Sequence, residues 1–307
     1  MASFVAVVGG INMDISGTSS SKMILGDSNP GSITTSLGGV GRNIAENLAR
    51  LGREVRMISA LGDDLHGQTI RAECAKLGID LTLTDTFSEE KTSTYLCIND
   101  VNGDVVTAIA DMRVCERITP EYLETRLNVL NEADFVVIDA NIPPASAAFL
   151  AQYCERPLIA DTVSIKKADR LRPCLWRLHA IKPNRPEAEL LSGVPIHGTQ
   201  GLDEAADEML REGVKNVFIS LGALGVYYAD AASRGIQPCL PSGIINTNGC
   251  GDAFLAASAL ALSRGHTLAE AALFGQASSS ICSEAESAVS PHLTVHALEK
   301  RAGLSSF

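Results

Sequence analysis

The residue best suited to acid–base chemistry is an aspartate that follows a glycine-rich loop. Asp252 comes directly after Gly249-Cys250-Gly251, and an apolar helical pattern begins at the same point. Two glycines around one small residue expose consecutive backbone N–H groups at a helix N-terminus, where unpaired donors and the helix dipole attract anions. A carboxylate in that first turn can accept the proton of a hydroxyl group that attacks phosphorus. We therefore predict Asp252 as a catalytic base and Gly249, Cys250 and Gly251 as an anion hole; a simple capped helix is the alternative.

Two further clusters offer groups that bind hydroxyls. In the run Gly38-Gly39-Val40-Gly41-Arg42-Asn43 the glycines let a ligand approach the backbone, and the Asn43 amide both donates and accepts hydrogen bonds. Asn12 and Asp14 follow the first apolar strand, at the carboxyl end where open α/β sheets bind ligands. The alternatives are a glycine-rich turn into a helix and a solvated loop carboxylate. The substrate-binding residues predicted here are Asn12, Asp14, Gly38, Gly39 and Asn43.

A third group of polar residues and glycines follows two later strands. Asn184 and Glu187 lie three residues apart at the start of a helix, so their side chains face the same way. Such a pair can order waters around Mg²⁺, although an N-capping arrangement explains it equally well. Ser220, Gly222 and Gly225 end another strand. They either pass near nucleotide phosphates or simply turn the chain into the next strand.

The elements that position these residues alternate between strand and helix. Apolar, β-branched runs at 4–8, 55–61, 134–139, 157–161, 180–182 and 217–221 predict buried strands. Helical patterns lie between them, and others at 252–264, 268–283 and 295–302 close the chain. This alternation predicts an α/β fold with a doubly wound, mostly parallel sheet.

Two segments break the alternation and predict a small β-sheet attached to the main unit. Residues 80–85 and 93–98 alternate like strands, and Asn102-Gly103 predicts a hairpin between 93–98 and 105–110. The polar stretch 15–37 lies between helical units in the same way. We therefore divide the chain into a catalytic domain (1–14, 38–90 and 114–307) and a small β-sheet (15–37 and 91–113).

The composition argues against several classes of protein. The 307 residues carry a net charge of −11, whereas a nucleic-acid-binding protein normally presents a basic face. The eight cysteines form no C-x-x-C pair and sit singly in apolar runs, as free thiols of a reduced compartment do. The first residues predict a strand rather than a signal peptide, and no apolar run reaches the roughly 18 residues of a membrane span. We expect a cytoplasmic protein that binds neither nucleic acid nor membranes.

Taken in order, the motifs resemble those of the ribokinase-like (PfkB) carbohydrate kinases over nearly the whole chain. Residues 38–45 resemble the family's first signature, Gly62-Asp63-Asp64-x-x-Gly67 its G-x-D-x-x-G element, Asn184-x-x-Glu187 its N-x-x-E motif, and 247–252 its T-x-G-A-G-D signature. The resemblance implies an α/β/α nucleotide-binding domain with the small β-sheet as a lid over a sugar. It implies ATP and Mg²⁺ as cosubstrate and cofactor, Asp252 as the base, and Asn184 and Glu187 as the residues that manage Mg²⁺ and phosphate.

Two positions depart from the family pattern. Cys250 replaces the usual alanine, and we expect little effect because the two side chains are similar in size. Asn246 stands where many members carry an aspartate that often belongs to a monovalent-cation site. Activation by K⁺ is therefore an open question.

Further segments resemble the branch of the family that phosphorylates pseudouridine. They include residues 27–31, 92–96, 110–112, 139–142 and 161–164. This likeness implies phosphorylation of that nucleoside at the ribose 5′ position, ahead of its breakdown to uracil and ribose 5-phosphate. We expect Asp27, Asp111 or Lys167 to take part in reading the base. The substrate-binding candidates added by this likeness are Asp27, Thr94, Asp111, Asn141 and Lys167.

Other functions stay open at this point. The chain could be a kinase of the same family for ribose, fructose or a purine nucleoside, or a sensor of the same fold that binds without turnover. A dinucleotide-dependent oxidoreductase is disfavoured because the glycine-rich loops lack the G-x-G-x-x-G spacing. A homodimer through the lid strands is expected if a sheet edge is left uncovered.

Overall fold

A computed structural model describes residues 3–304 and 307 of the chain. The strands are β1 (Phe4–Val8), β2 (Asn12–Ser19), β3 (Gly31–Gly38), β4 (Glu54–Ile58), β5 (Ala60–Gly62), β6 (Ile79–Asp80), β7 (Asp85–Phe87), β8 (Thr94–Asn99), β9 (Val105–Asp111), β10 (Val136–Asp139), β11 (Leu158–Asp161), β12 (Leu178–Lys182), β13 (Val217–Ser220), β14 (Val226–Ala229) and β15 (Arg234–Gln237). The helices are α1 (Val40–Arg50), α2 (Leu65–Lys76), α3 (Pro120–Glu124), α4 (Leu127–Leu130), α5 (Pro144–Tyr153), α6 (Ile165–Ala168), α7 (Arg185–Ser192), α8 (Gly198–Arg211), α9 (Cys250–Ser263), α10 (Leu268–Ser283) and α11 (Val295–Ala302). Short 3₁₀ turns occupy Arg113–Arg117, Asp169–Arg177 and Gly222–Leu224.

Nine of the described strands form one large sheet in the order β15-β14-β13-β12-β11-β10-β1-β4-β6. Its centre is parallel, since β1 pairs in parallel with both β10 and β4, and only the β13–β14 and β14–β15 pairs are antiparallel. Alternate residues of β1 enter separate apolar cores: Ala6 and Val8 pack on one face of the sheet and Val5 and Val7 on the other. Covering on both faces explains why central strands are apolar throughout. The predicted doubly wound, mostly parallel α/β fold is confirmed.

A second sheet has the strand order β3-β2-β8-β9; we call it the small sheet. The Asn102-Gly103 hairpin joins β8 and β9 as predicted, and Gly103 takes the left-handed conformation (φ 88°) that this turn needs. The strand β2 begins at Asn12, so Asn12 and Asp14 lie on the small sheet and not in a loop after β1. By strand register, one face of this sheet is polar and carries Asp14, Ser16, Tyr95 and Asn99, whereas the other is apolar and carries Ile15, Ile33, Leu96 and Ile109.

Three expectations about single elements were wrong. Residues 80–85 are not one strand: 81–84 form a turn between β6 and β7, in which the Asp80 side chain accepts the Thr82 N–H at 2.8 Å. Residues 55–61 form two strands, and β5 leaves the main sheet to pair with β7. The β14–β15 hairpin was missed; its turn is held by the Asp230 carboxylate, which accepts the N–H groups of Ala232 and Ser233. Among the described helices, none combines the length and the apolar character needed to cross a membrane.

Candidate active site

Asp252 lies buried in the first turn of α9, at the carboxyl edge of the main sheet. Gly249 caps this helix in a left-handed conformation (φ 78°), and a Cβ atom there would lie 1.8 Å from the Ala288 carbonyl oxygen, so only glycine fits. In the part of the chain that the structure describes, the N–H groups of Gly249, Gly251 and Asp252 have no hydrogen-bond acceptor. Of the three donors predicted for the anion hole, those of Gly249 and Gly251 are therefore open beside a carboxylate, whereas the Cys250 N–H donates to the Thr247 carbonyl oxygen at 3.3 Å. The Cys250 thiol turns away from them and lies 3.5 Å from the Ser279 carbonyl oxygen on α10.

Two opposing influences set the ionisation of Asp252. Burial, together with the nearby negative charge of Asp161, raises its pKa to about 7. The Asn43 side chain opposes this by donating to Asp252 Oδ2 at 2.7 Å, and the cations Lys182 and Arg42 act in the same direction. A carboxylate with a pKa near 7 is suited to accept a proton at neutral pH.

Lys182 and Asp161 form a buried ion pair beside this carboxylate. Lys182 Nζ lies 3.2 Å from Asp161 Oδ2 without hydrogen-bond geometry, and a Cβ atom at Gly251 would lie 3.0 Å from the same Nζ. Burial alone would lower the pKa of Lys182, but the carboxylates of Asp161, Asp252 and Glu187 outweigh it and raise that pKa. Lys182 is therefore a permanent cation next to the backbone donors of α9.

Asp161 is held by a strained turn. The next residue but one, Val163, has a φ of 61°, which is rare for a β-branched residue, and its N–H donates to Asp161 Oδ1 at 2.8 Å. A conformation of this kind costs about 1–3 kcal/mol and persists where the surroundings enforce it, often at functional sites. The turn fixes one carboxylate oxygen of Asp161 and leaves the other facing Lys182.

The glycine loops near the substrate candidates are held by a buried carboxylate, Asp139. Its Oδ2 accepts the N–H groups of Gly10 at 2.9 Å and Gly41 at 2.8 Å, and the Asn141 side-chain amide also donates to it at 2.9 Å. Burial raises the pKa of Asp139. Gly39 begins α1 with a φ of 97°, and a Cβ atom there would lie 2.5 Å from the Gly10 carbonyl oxygen. Asp139 thus fixes the loops after β1 and β3 against each other.

Asn12, Asp14, Gly38 and Asn43 come together as the sequence predicted. The Asn12 amide donates to Asp14 Oδ1, and the Asp14 carboxylate lies so close to Gly38 that a Cβ atom there would be 2.3 Å from Oδ2. Burial raises the pKa of Asp14, against the opposing influence of Asn12 and Arg42. Arg42, which the sequence reasoning did not assign, is buried and donates to the Leu37 carbonyl oxygen at 2.6 Å, so it ties α1 to the small sheet.

A cavity of about 870 Å³ lies between the polar face of the small sheet and the start of α9. Asp14, Asn43 and Gly249 line it from the catalytic side, and Tyr95 and Asn99 line it from the small sheet. Asn99 donates to Ser16 Oγ at 2.8 Å, but its Oδ1 is buried and has no hydrogen-bond partner among the described residues. A buried acceptor without a donor calls for an explanation, such as a bound water or a ligand group that donates to it.

The other substrate candidates lie outside the lining of this cavity. Lys167 donates to Asn141 Oδ1 at the carboxyl ends of β10 and β11, and Thr94 begins β8. Asp27 lies in an exposed loop, and Asp111 is paired with Arg113 at 2.6 Å, which holds its pKa below the usual value. Lys167 is nevertheless connected to the glycine loops, because its partner Asn141 donates to Asp139 Oδ2, which also accepts the Gly41 N–H.

Asn184 and Glu187 form the capping box that was the alternative interpretation. Asn184 Oδ1 accepts the Glu187 N–H at 3.0 Å, and the Glu187 carboxylate accepts the Asn184 N–H at 2.9 Å and the Thr162 hydroxyl at 2.6 Å. No cluster of three or more His, Cys, Asp or Glu side chains among the described residues could hold a metal ion. Any Mg²⁺ here would depend on ligands that arrive with a substrate.

The remaining candidates differ in exposure: Gly222 is exposed, Ser220 and Asn246 are half-buried, and Gly225 is buried. Ser220 accompanies Asn184 in an isolated bridge, Gly222 (φ 61°) has free space around it, and a Cβ atom at Gly225 would lie 2.1 Å from the Gln237 carbonyl oxygen. The Asn246 amide joins two loops: it donates to the Glu286 carbonyl oxygen, in the segment after α10, at 2.8 Å and accepts the Asn248 N–H at 2.9 Å.

Three charged residues of this site were missed by the sequence reasoning. Asp139, Asp161 and Lys182 each end an apolar strand of the main sheet at its carboxyl edge. The signal that could have found them is a charged residue at the carboxyl end of an apolar strand. The sequence reasoning used this signal only for the residues that follow β1.

The comparisons with known proteins agree with this arrangement. Residues 2–294 match the model of the pfkB family of carbohydrate kinases. The chain is 34% identical over 294 residues to the pseudouridine kinase of Escherichia coli strain K12, covering 95% of this chain and 94% of that protein. It is 28% identical over 276 residues to the guanosine-inosine kinase of Exiguobacterium acetylicum, covering 88% and 91%. The structure of Arabidopsis thaliana ribokinase complexed with ribose and ATP shares the fold, with a TM-score of 0.88, 24% identity and coverage of 99% and 100%. With this match over almost its whole length, and with residues of two of that family's motifs, Asn43 and Gly249, lining one cavity, the chain belongs to the pfkB family of carbohydrate kinases.

Proposed function

We propose that the protein transfers the γ-phosphoryl group of ATP to the 5′-hydroxyl of pseudouridine. The observation that carries the proposal is the placement of Asp252, which lies between unpaired N–H donors at the start of α9 and the Asn43 side chain at the edge of a large cavity. A sensor needs no base beside an anion hole, so this geometry favours a kinase over a binding protein.

In the proposed reaction the substrate hydroxyl attacks the γ-phosphorus while Asp252 accepts its proton. The bond to the β-phosphate oxygen breaks and ADP leaves. The N–H groups of Gly249 and Gly251 and the Lys182 ammonium would meet the negative charge on the transferring phosphoryl group. Asn43, bonded to Asp252 at 2.7 Å, orients the carboxylate.

ATP would lie over the residues at the start of α7 and after β13, which include Asn184, Ser220, Gly222 and Gly225. Asp161 Oδ2 is buried without a hydrogen-bond partner among the described residues, and Mg²⁺ in such sites takes one or two carboxylates with phosphates and waters. The residues therefore fit an Mg²⁺ ion that neutralises phosphate charge. Asp161 is a better candidate ligand than the predicted Glu187, because the Glu187 carboxylate already serves the capping box.

The substrate would span the cavity from Asp252 to the small sheet. Asn12, Asp14, Gly39 and Asn43 would bind the ribose hydroxyls, as the family resemblance implied. At the far end, Asn99 Oδ1 needs a donor and Tyr95 offers an aromatic ring. A uracil ring joined through carbon carries two ring N–H donors, so this end of the cavity suits pseudouridine. The small sheet, segments 15–37 and 91–113, would act as the lid that excludes water.

The first experiment is an ADP-release assay with Mg-ATP, with and without K⁺, on pseudouridine, uridine, ribose, fructose, adenosine and inosine. Turnover of pseudouridine well above uridine and ribose supports the proposal. Preference for another sugar or nucleoside leaves a kinase and discards the substrate. No turnover of any of them in folded protein would favour a sensor. A loss of rate without K⁺ would assign a cation site near Asn246.

Substitutions test which residues read the base. Asn99→Ala should lower kcat/KM for pseudouridine by about tenfold or more, since a buried acceptor loses its hydrogen bond, and should affect ribose little. The combined substitution of Asp27, Asp111 and Lys167 by alanine tests the sequence hypothesis. Retention of the preference for pseudouridine over ribose in that triple variant would reject a role for these three residues.

A further inference from the structure

A second cavity lies at the opposite edge of the main sheet from the candidate active site. It has a volume of about 510 Å³ and is bounded by the residues at the amino ends of the central strands and by the last turn of α9, from Leu260 to Arg264. The first turn of α9 carries Asp252, and a helix of 14 residues is about 21 Å long. The cavity is therefore separate from the kinase site.

The lining of this second cavity is basic. The guanidinium groups of Arg53, Arg156 and Arg264 line it, and Asp134 is the one acidic side chain among its described lining residues. Asp134 is already engaged by Arg53 and by the Ser3 hydroxyl. Three arginines against one carboxylate form a local excess of positive charge in a protein whose net charge is −11.

These arginines are incompletely partnered. The Nε atoms of Arg53 and Arg156 are buried without a hydrogen-bond partner in the described part of the chain. The Arg156 guanidinium makes no hydrogen bond or ion pair with any described residue. Burial and the positive charge of Arg53 lower the pKa of Arg264, although Glu299 partly offsets this. Arg53 and Arg156 are half-buried and Arg264 is exposed, so the unsatisfied donors are the two buried Nε atoms, and an anion in the cavity would offset the like charges around them.

Helix electrostatics account for only part of this cluster. Arg264 follows the C-terminus of α9, where the helix dipole favours a cation. Arg53 and Arg156 lie two residues beyond the C-caps of α1 and α5, just before β4 and β11. The dipole favours cations near these helix ends but falls off within the last turn, so it stabilises three converging arginines only in part.

We propose that this cavity binds a small phosphate monoester. Planar guanidinium forks match the oxygens of a phosphoryl group and bind it in a bidentate manner. The volume exceeds that of a bare phosphate, and the partly exposed apolar residues Pro157 and Leu262 line the same space. The ligand class is thus a phosphoryl group that carries a compact organic part.

Calorimetric titration of the full chain with ribose 5-phosphate and with inorganic phosphate tests the site. Arg156→Met keeps the length of the side chain but removes its charge and donors, and should weaken ribose 5-phosphate binding by about tenfold or more. Arg211→Met, which removes an exposed arginine on α8, is the matched control and should bind as the unsubstituted protein does. Arg156→Lys should retain part of the affinity.

The outcomes separate this site from the kinase site. Binding that Arg156→Met leaves unchanged, or no binding at millimolar ligand, overturns the proposal, provided that the variant keeps its unfolding temperature. Tighter binding of ribose 5-phosphate than of inorganic phosphate supports a monoester, and equal affinity overturns that part. The readout is binding alone, so it stands whether or not the proposed kinase activity is found.

Discussion

At the scale of single residues, Asp252 combines burial with several charged neighbours. Asp161 raises its pKa in addition to burial, whereas Asn43, Lys182 and Arg42 lower it, and the balance lies at about 7. The carboxylate is thus ionised in only part of the molecules at neutral pH. Activity should report that balance directly, because only the ionised form can accept a proton.

We predict that kcat/KM rises with pH below about 7 and levels off above it. The folded-state pKa is raised, so the active ionised form is lost as pH falls through about 7. Asp252→Asn should keep the fold, lose about 10²- to 10⁴-fold in rate and remove this pH dependence. Rates measured across neutral pH check both statements. A loss below tenfold in the variant would show that Asp252 is not the base.

The two glycines of the anion hole should respond differently to alanine. Gly249→Ala places a Cβ atom 1.8 Å from a carbonyl oxygen in a left-handed conformation, so it should reduce the free energy of unfolding by about 1–3 kcal/mol. Gly251→Ala meets only the end of the Lys182 side chain, at 3.0 Å, and should keep stability but lower turnover. Urea unfolding and the ADP assay compare them. Equal loss of stability in both variants would contradict this assignment.

At the scale of elements, the sequence predicted best what local pattern alone determines. The runs at β1, β10 and β11 are apolar throughout, and the N-cap Thr119 with Pro120 begins α3 as expected. Residues 80–85 have a strand-like pattern, but the Asp80 side chain competes for the backbone and forms a turn. Asn184 and Glu187 show a different limit of sequence patterns. Their spacing of three residues fits both a capping box and an ion-binding pair, so the spacing alone does not choose between them.

The small sheet leads to a prediction about hydrogen exchange. If it closes over the nucleoside, the backbone amides of β2, β3, β8 and β9 should exchange hydrogen more slowly when pseudouridine is bound. The central strands β10 and β11, buried in the main sheet, serve as the internal control and should not change. Protection confined to the glycine loops, with none in the small sheet, would argue against a lid.

At the scale of the whole molecule, the outer face of the small sheet is the main apolar surface left open. Ile33 and Ile109 are 77% and 67% exposed, on the face opposite the cavity. Contiguous exposed apolar residues on a sheet favour association. This supports the expectation of a homodimer through the lid strands.

We predict a mass of about twice 32.4 kDa in solution at micromolar concentration. Ile109→Lys should give the monomer, because a charge would be buried in the interface. Ile236→Lys, an exposed isoleucine on β15, is the matched control and should leave the mass unchanged. Light scattering after size exclusion measures all three proteins. A monomeric unsubstituted protein would refute the dimer.

The residues of the candidate active site could be predicted from the sequence only where family motifs mark them. Asn43 and Asp252 lie 209 residues apart, and no local pattern reveals that they share a hydrogen bond. The family signatures linked them, whereas Asp139 and Lys182 depend on how strands order themselves in the sheet. Asp27 and Asp111 show the limit of likeness between segments: neither is among the residues that line the cavity, and their part in reading the base stays a prediction.

The position of α9 in the chain has a consequence for synthesis. Because a ribosome makes the chain from its amino end, every strand is complete before residues 250–263 emerge. A growing chain then has the side chains of Asn12, Asp14 and Asn43, but no general base and no anion hole. On the proposed function, chains that end before Asp252 lack the general base and cannot catalyse phosphoryl transfer.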